Sequence, residues 1–136
     1  MNETLSQLVG AVGFASLTVR AADTALALGS GDVPVLGTPR VIALVEAACV
    51  AALLDRLSPE QTSVGTRVEI DHLGASEVGA NVRASASVTS SSGLKLTFEV
   101  EVHDGSRLVA QGIVTRVLVD RISFLAKAAG QARSAE

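Results

Sequence analysis

Apolar and polar positions alternate through most of the second half of this chain. TRVEIDH (66–72) puts Thr66, Val68, Ile70 and His72 on one face and Arg67, Glu69 and Asp71 on the other. VGANVRASASV (78–88) sets Val78, Ala80, Val82, Ala84, Ala86 and Val88 against Asn81, Arg83, Ser85 and Ser87. LKLTFEVEVH (94–103) turns Leu94, Leu96, Phe98, Val100 and Val102 one way, and RLVAQGIVTRVLVD (107–120) makes a long last strand. A period of two over such lengths marks strands with one dry and one wet face. SSSG (90–93) and Asp104-Gly105 supply turns between them, the second a hairpin signal. Gly112, inside the last strand, predicts a bulge or a close backbone approach. GFASLTVR (13–20) alternates well enough for a first strand.

One segment breaks the rhythm. From Val41 to Leu54 there are thirteen uncharged residues and a single carboxylate, Glu46. Thr38 followed by Pro39 predicts a helix with threonine at the N-cap and proline at its first position. Asp55-Arg56-Leu57-Ser58-Pro59 closes it. The wheel is apolar nearly all the way round, so this helix is expected to be surrounded by protein. Residues 21–37, rich in Gly, Ala, Asp and Pro, read as a connecting loop with one helical turn. The first residues and the final AAGQARSAE read as a loosely held start and a frayed end, leaving an ordered core of about 13–125. The order is strand, loop, buried helix, then four strands joined by tight turns, which makes an antiparallel meander. A long helix wrapped by a curved antiparallel sheet is the hotdog fold, of the α+β class. A helix on a flat sheet and a small barrel are the alternatives.

Composition narrows the function classes. A chain of 136 residues makes one domain that can bury a core without metal or disulfide help. The net charge of −3 offers no basic stripe, and three Phe with no Trp or Tyr give few rings for bases to stack on, so no nucleic-acid partner is expected. Cys49 is the only cysteine, which excludes an internal disulfide framework and a multi-cysteine zinc site. MNETLSQLVG lacks the basic and apolar regions of a signal peptide, and the apolar helix is too short to span a bilayer. A cytoplasmic protein with no membrane partner is expected.

The chemistry concentrates on few residues. An unpaired ionised carboxylate in an apolar interior costs several kcal/mol, so Glu46 must be paired, protonated or placed at a wet cleft or seam. His72 shares its face with Val68 and Ile70 and points inward, whereas His103, beside Lys95, Glu99 and Glu101, points to water. Asp71 lies on the face opposite His72 and reads as surface. Cys49 reads as a small apolar filler. Gly65 is a twist, a bulge or a close approach of backbone to substrate. Arg116 shares a face with Val114 and Leu118, as a partner for Glu46 or a contact with a second subunit. An N-cap role would explain Thr38 completely, while the helix start also offers free N–H groups and a positive dipole end to an oxyanion. Thr38 and Glu46 are eight residues apart, about 12 Å along an ideal helix, so they cannot be assumed to touch.

The segments GTPRVIALVEAACV (37–50), SVGTRVEIDHLGAS (63–76) and VEVHDGSRLVAQGIVTRVLV (100–119) resemble the hotdog acyl-CoA thioesterases of the fluoroacetyl-CoA thioesterase type. The resemblance spans roughly residues 14–125. Its specific part is a threonine before the helix, a glutamate two turns into it and a histidine ending the next strand: Thr38, Glu46 and His72. It implies hydrolysis of a small acyl-CoA thioester, with CoA entering as part of the substrate and no metal or bound cofactor. It also implies a homodimer, or a tetramer, with the site at the subunit interface. His72 is then the general base, Thr38 and Glu46 complete the catalytic set, and Gly37, Pro39 and Gly65 lie against the substrate. The segment SGDVPVLG before the helix contains no aromatic residue, unlike the aromatic gate of the fluoroacetyl enzyme. The resemblance is therefore carried to the general reaction and not to fluoroacetyl selectivity. A hotdog protein that binds an acyl-CoA or another apolar ligand without catalysis is the rival expectation, and an enoyl-CoA hydratase ranks third.

Overall fold

The computed structural model describes residues 5–134. Its strands are β1 (Val12–Thr18), β2 (Gln61–His72), β3 (Asn81–Ser92), β4 (Lys95–Asp104) and β5 (Arg107–Asp120), in a 5-stranded sheet of order β1-β3-β4-β5-β2. Every pairing is antiparallel. Three helices accompany them: a one-turn α1 (Ala25–Leu28), the long α2 (Thr38–Leu53) and α3 (Arg121–Ser134). The sheet curls around α2, which is the hotdog arrangement. Register shifts between Gly65 and Arg67, between Val88 and Ser90 and between Val102 and His103 add to the native twist and help the sheet to wrap.

The core is the dry face of that wrap. Val82, Ala84, Ala86 and Val88 of β3 and Leu96, Phe98, Val100 and Val102 of β4 are all buried, as their alternation predicts. They meet Val41, Leu44, Val45, Ala48, Cys49, Ala52 and Leu53 of α2. Small residues set how close the helix comes. At Gly13 in β1, a Cβ would run into the Ala48 carbonyl and the Ala52 amide of α2, so only a glycine fits between strand and helix there. Gly112 in β5 is a close approach rather than a bulge: its pairing with Ile70 and Val100 is regular, and a Cβ would meet the Glu69 carbonyl.

The structure departs from the sequence pattern in six places. The last four strands are not one meander: only β3, β4 and β5 follow one another through turns, while β2 crosses to the far edge to pair with β5 and β3 pairs with β1. Strand β2 starts at Gln61 rather than Thr66, because Ser63 and Gly65 mask its alternation; the bulge beside Gly65 then turns Thr66 outward. Val78 and Leu94, expected inside, sit in turns at 52% and 59% exposure; Gly79 and Gly93, with φ +97 and +59, reverse the chain beside them. Helix α2 is not surrounded by protein in a single chain: Ala43, Ala47, Val50 and Leu54 form an exposed stripe along it. The expected loose start is anchored from residue 5 on, since Leu8 in the 3-10 turn Leu5–Leu8 is fully buried, and residues 1–4 lie outside the described ones. The end is helical: α3 covers residues 121–134 and the Asp120 carboxylate accepts from the Ser123 amide at 2.9 Å. The final two residues of the expected frayed end lie outside the described ones. No helix among the described residues is long and apolar enough to cross a membrane.

Candidate active site

Thr38 is not the cap of its helix. The N-cap is Gly37, in extended conformation and without a side-chain hydrogen bond. The site is tight for a side chain, because a Cβ would lie 3.0 Å from Leu28 Cδ1 and 3.1 Å from the Ala25 backbone, so the neighbours would have to give way. Thr38 thus occupies the first helical position and its hydroxyl is free for another partner. That partner is His72, whose Nδ1 lies 2.8 Å from Thr38 Oγ1. The amides that open the helix are mostly spent: Gly37 N–H donates to the Asp23 carbonyl, and those of Arg40 and Val41 to the Gly37 carbonyl. Pro39 has none. The Thr38 amide remains as the donor that the helix start offers to a ligand.

His72 ends β2 opposite Ala110 of β5. Immediately after it, the Leu73 and Gly74 amides both donate to the Val109 carbonyl, at 2.7 and 3.2 Å, which pins the strand end. Burial pushes the imidazole pKa below its ordinary 6.5, against a smaller upward pull from the Gly74 backbone, so the ring is neutral at pH 7. Its Nε2 is buried and has no hydrogen-bond partner. A cleft of about 320 Å3 opens beside this pair, walled by Gly37, Thr38, His72 and Leu73 on one side and by residues of the 30–36 loop on the other. Arg40, at the same helix start, is already paired with Asp23 at 3.1 Å.

Glu46 belongs to a second cluster. Its Oε2 accepts from Arg116 Nη1 at 2.8 Å, and that guanidinium also donates to Ser63 Oγ at 2.8 Å and to the Ser63 carbonyl at 2.9 Å. Arg116 is 6% exposed, so the carboxylate in the apolar helix answers a buried cation reaching in from β5. Gly65 makes the meeting possible: a Cβ there would collide with Glu46 Oε2. Of the two expectations for Arg116, the partnership with Glu46 is the one observed within the chain.

The candidates therefore fall into two groups. Gly37, Thr38 and His72 share the cleft; Glu46 and Gly65 sit together at the Arg116 pair; Pro39, exposed at the second helical position, lies in neither. Sequence reasoning left Arg116 undecided and passed over Ser63, whose polar side chain carries no signal until its strand register is known. Asp71 is exposed as expected. His103 stands on the outer face 4.0 Å from Glu101. Cys49 is buried, and burial drives its thiol up to about 12, which leaves it inert. No cluster of three or more His, Cys, Asp or Glu placed to hold a metal occurs among the described residues.

A threonine hydroxyl freed from capping, a neutral histidine and a cleft are groups on which acyl transfer can be built. The family profile described as fluoroacetyl-CoA-specific thioesterase matches residues 19–122. The chain belongs to this family. Over 93 residues it is 32% identical to the fluoroacetyl-CoA thioesterase of Streptantibioticus cattleyicolor, covering 68% of this chain and 67% of that protein. A solved structure of the fluoroacetyl-CoA thioesterase FlK, a threonine-to-serine variant in complex with acetyl-CoA, is 27% identical. It covers 90% of this chain and 97% of its own, with a TM-score of 0.84. A hot-dog-like protein from Thermanaerovibrio acidaminovorans superposes with a TM-score of 0.85, covering 95% of this chain and 97% of its own; at 20% identity it speaks to the fold alone. The expected class, an acyl-CoA thioesterase of the hotdog fold, holds at the level of the family.

Proposed function

We propose that the protein hydrolyses a short acyl-CoA thioester to the free acid and CoA, as a homodimer. The observation that carries this is the 2.8 Å contact between Thr38 Oγ1 and His72 Nδ1 at the mouth of a cleft. His72, half-buried and neutral, accepts the Thr38 proton on Nδ1 as the threonine oxygen attacks the thioester carbon. The Thr38 amide and the positive end of α2 stabilise the oxyanion. The C–S bond then breaks, and the departing CoA thiolate takes the proton back from the imidazolium. Water, deprotonated by the same nitrogen, releases the acid from Thr38. CoA enters as substrate, and no step needs a metal or a resident cofactor. The cleft is small and carries no aromatic side chain, which suits a short acyl chain.

Two features support the dimer. Strand β2 (Gln61–His72) forms an edge of the sheet, with no strand beside its outer flank among the described residues. The stripe Ala43, Ala47, Val50 and Leu54 leaves apolar surface uncovered on α2. Glu46 lies beside that stripe with its side chain 33% exposed. In the dimer it reaches the seam, where its charge stabilises the imidazolium of the partner subunit. Thiol release from a panel of short and medium acyl-CoAs tests the proposal, run on wild type, His72→Ala and Thr38→Ala with dimerisation checked by light scattering. Turnover lost in both variants while the dimer persists is the expected result. Full turnover in His72→Ala rejects the mechanism; saturable CoA-ester binding without thiol release in the wild type makes the protein a carrier instead.

A further inference from the structure

We propose that Arg107, the first residue of β5, is a positioning residue that holds the loop joining the two halves of the thioesterase site. The inference rests on the reading of Thr38 and His72 as the working pair. Arg107 follows the β4–β5 hairpin, where Gly105 adopts φ +61. Its Nη2 donates to the Ala75 carbonyl at 2.7 Å and to Asp104 Oδ2 at 3.1 Å. Its Nη1 packs so closely on Gly74 that a Cβ there would stand 3.0 Å away. The guanidinium therefore covers the loop that leaves His72 and is itself aimed by Asp104.

That loop serves both catalytic side chains. On one side it is tied to β5 through the Leu73 and Gly74 amides on the Val109 carbonyl. On the other, the Leu36 amide donates to the Ser76 carbonyl at 2.9 Å and Val35 bridges Glu77. Leu36 precedes Gly37 and Thr38, so the 35–38 segment and His72 are set against each other through residues 73–77. The backbone of the loop supplies these ties, while Ala75 offers no side chain that could lock it. Arg107 is the side chain from outside that fastens its exposed turn.

A phosphate contact with the CoA moiety is the other role an arginine here suggests. The groove of about 640 Å3 next to Arg107 is also lined by Glu77 and Asp104, and Asp104 already neutralises the guanidinium. Two carboxylates beside one committed cation make a poor anion site, whereas an Nη2 that donates both to a backbone carbonyl and to the carboxylate that aims it is what holding a backbone turn requires.

The test uses the full chain with Arg107→Ala, Arg107→Lys and Asp104→Asn. The Arg107–Asp104 pair is exposed, worth no more than about 1 kcal/mol, so the melting temperature of Arg107→Ala stays within roughly 4 °C of wild type. Its kcat falls about tenfold, because ångström-scale misplacement of reacting groups costs that much or more, while KM stays within about twofold. Arg107→Lys recovers part of kcat, since an ammonium can still reach the Ala75 carbonyl. NMR titration of His72 is the second readout. Among the described residues His72 is the only titratable one lining its cleft; Asp71 faces the outer side of the sheet, and Arg40 and Asp23 pair with each other. Loosening the loop admits water, so its pKa climbs in Arg107→Ala back toward 6.5. A rise in KM with unchanged kcat overturns the proposal in favour of a CoA contact, and an unmoved kcat and titration make Arg107 an ordinary surface residue. Should the wild type release no thiol at all, hydrolysis is rejected, yet the His72 titration still decides the placement claim. If Arg107→Ala fails to fold, Asp104→Asn, which leaves the arginine but loses its aim, must show the same two shifts in smaller measure.

Discussion

A double-mutant cycle on Glu46 and Arg116 measures why a carboxylate is tolerated in the apolar helix. The two partners are unequally buried, with side chains 33% and 7% exposed, so the two single replacements differ in cost. Glu46→Leu strands the guanidinium in the core; removing one partner of a buried pair costs about 3–5 kcal/mol, and the two bonds to Ser63 reduce that here to roughly 2–3. Arg116→Met leaves a carboxylate that water can reach, at a cost of about 1 kcal/mol. The double replacement removes both charges and fills the space with apolar atoms, which brings stability back to within about 1 kcal/mol of wild type. The coupling energy is therefore about 2–4 kcal/mol, well above the scatter of independent sites. Urea unfolding followed by far-UV circular dichroism supplies the four stabilities. Additive costs refute the reasoning, since they mean that the 2.8 Å contact does not hold Glu46 in place.

Four further outcomes follow from the structure. Burial lowers the His72 pKa, so the acid limb of kcat/KM falls at a lower pH than a free imidazole with its ordinary 6.5 would give. Unfolded chains bind a proton at 6.5 that the folded one refuses, so the His72 share of stability is present above that pH and is lost as pH falls toward the folded value; His72→Gln removes that slope from the pH profile of urea midpoints. Gly13→Ala forces α2 off β1 and costs about 3 kcal/mol, the upper range for overpacking, because the obstacle is helix backbone rather than a movable side chain. Native Cys49, its thiol pushed up to about 12 inside the core, takes up no thiol reagent at pH 8 and labels fully in denaturant.

The strands were legible because their dry faces are simple: β5 runs from Arg107 to Asp120, as the alternation predicts. Errors came where a short polar run hides a strand, as at Ser63 and Gly65, or where a glycine turn steals an apolar residue, as at Val78 and Leu94. The long apolar run identified α2 but not which of its sides would be covered, because composition is silent about how many copies of the chain share a surface. Strand parity aimed His72 inward and His103 outward. The capping rule misplaced the helix start by one residue, since the Thr-Pro pair cannot reveal that Gly37 is clamped by Ala25 and Leu28. Arg116 was ambiguous for a different reason: its match with Glu46 depends on the register of a strand 70 residues away.

The backbone-only cap at Gly37 has an evolutionary consequence. Because glycine begins the helix without help from any hydroxyl, the residue after it carries no folding duty that other positions would have to replace. Thr38 can drift to serine or alanine with the scaffold intact, so selection for a folded chain does not by itself protect the chemistry. On the role proposed for Thr38, one change to alanine removes hydrolysis and leaves the folded body with its cleft, so an enzyme and a carrier of this architecture differ by a single side chain.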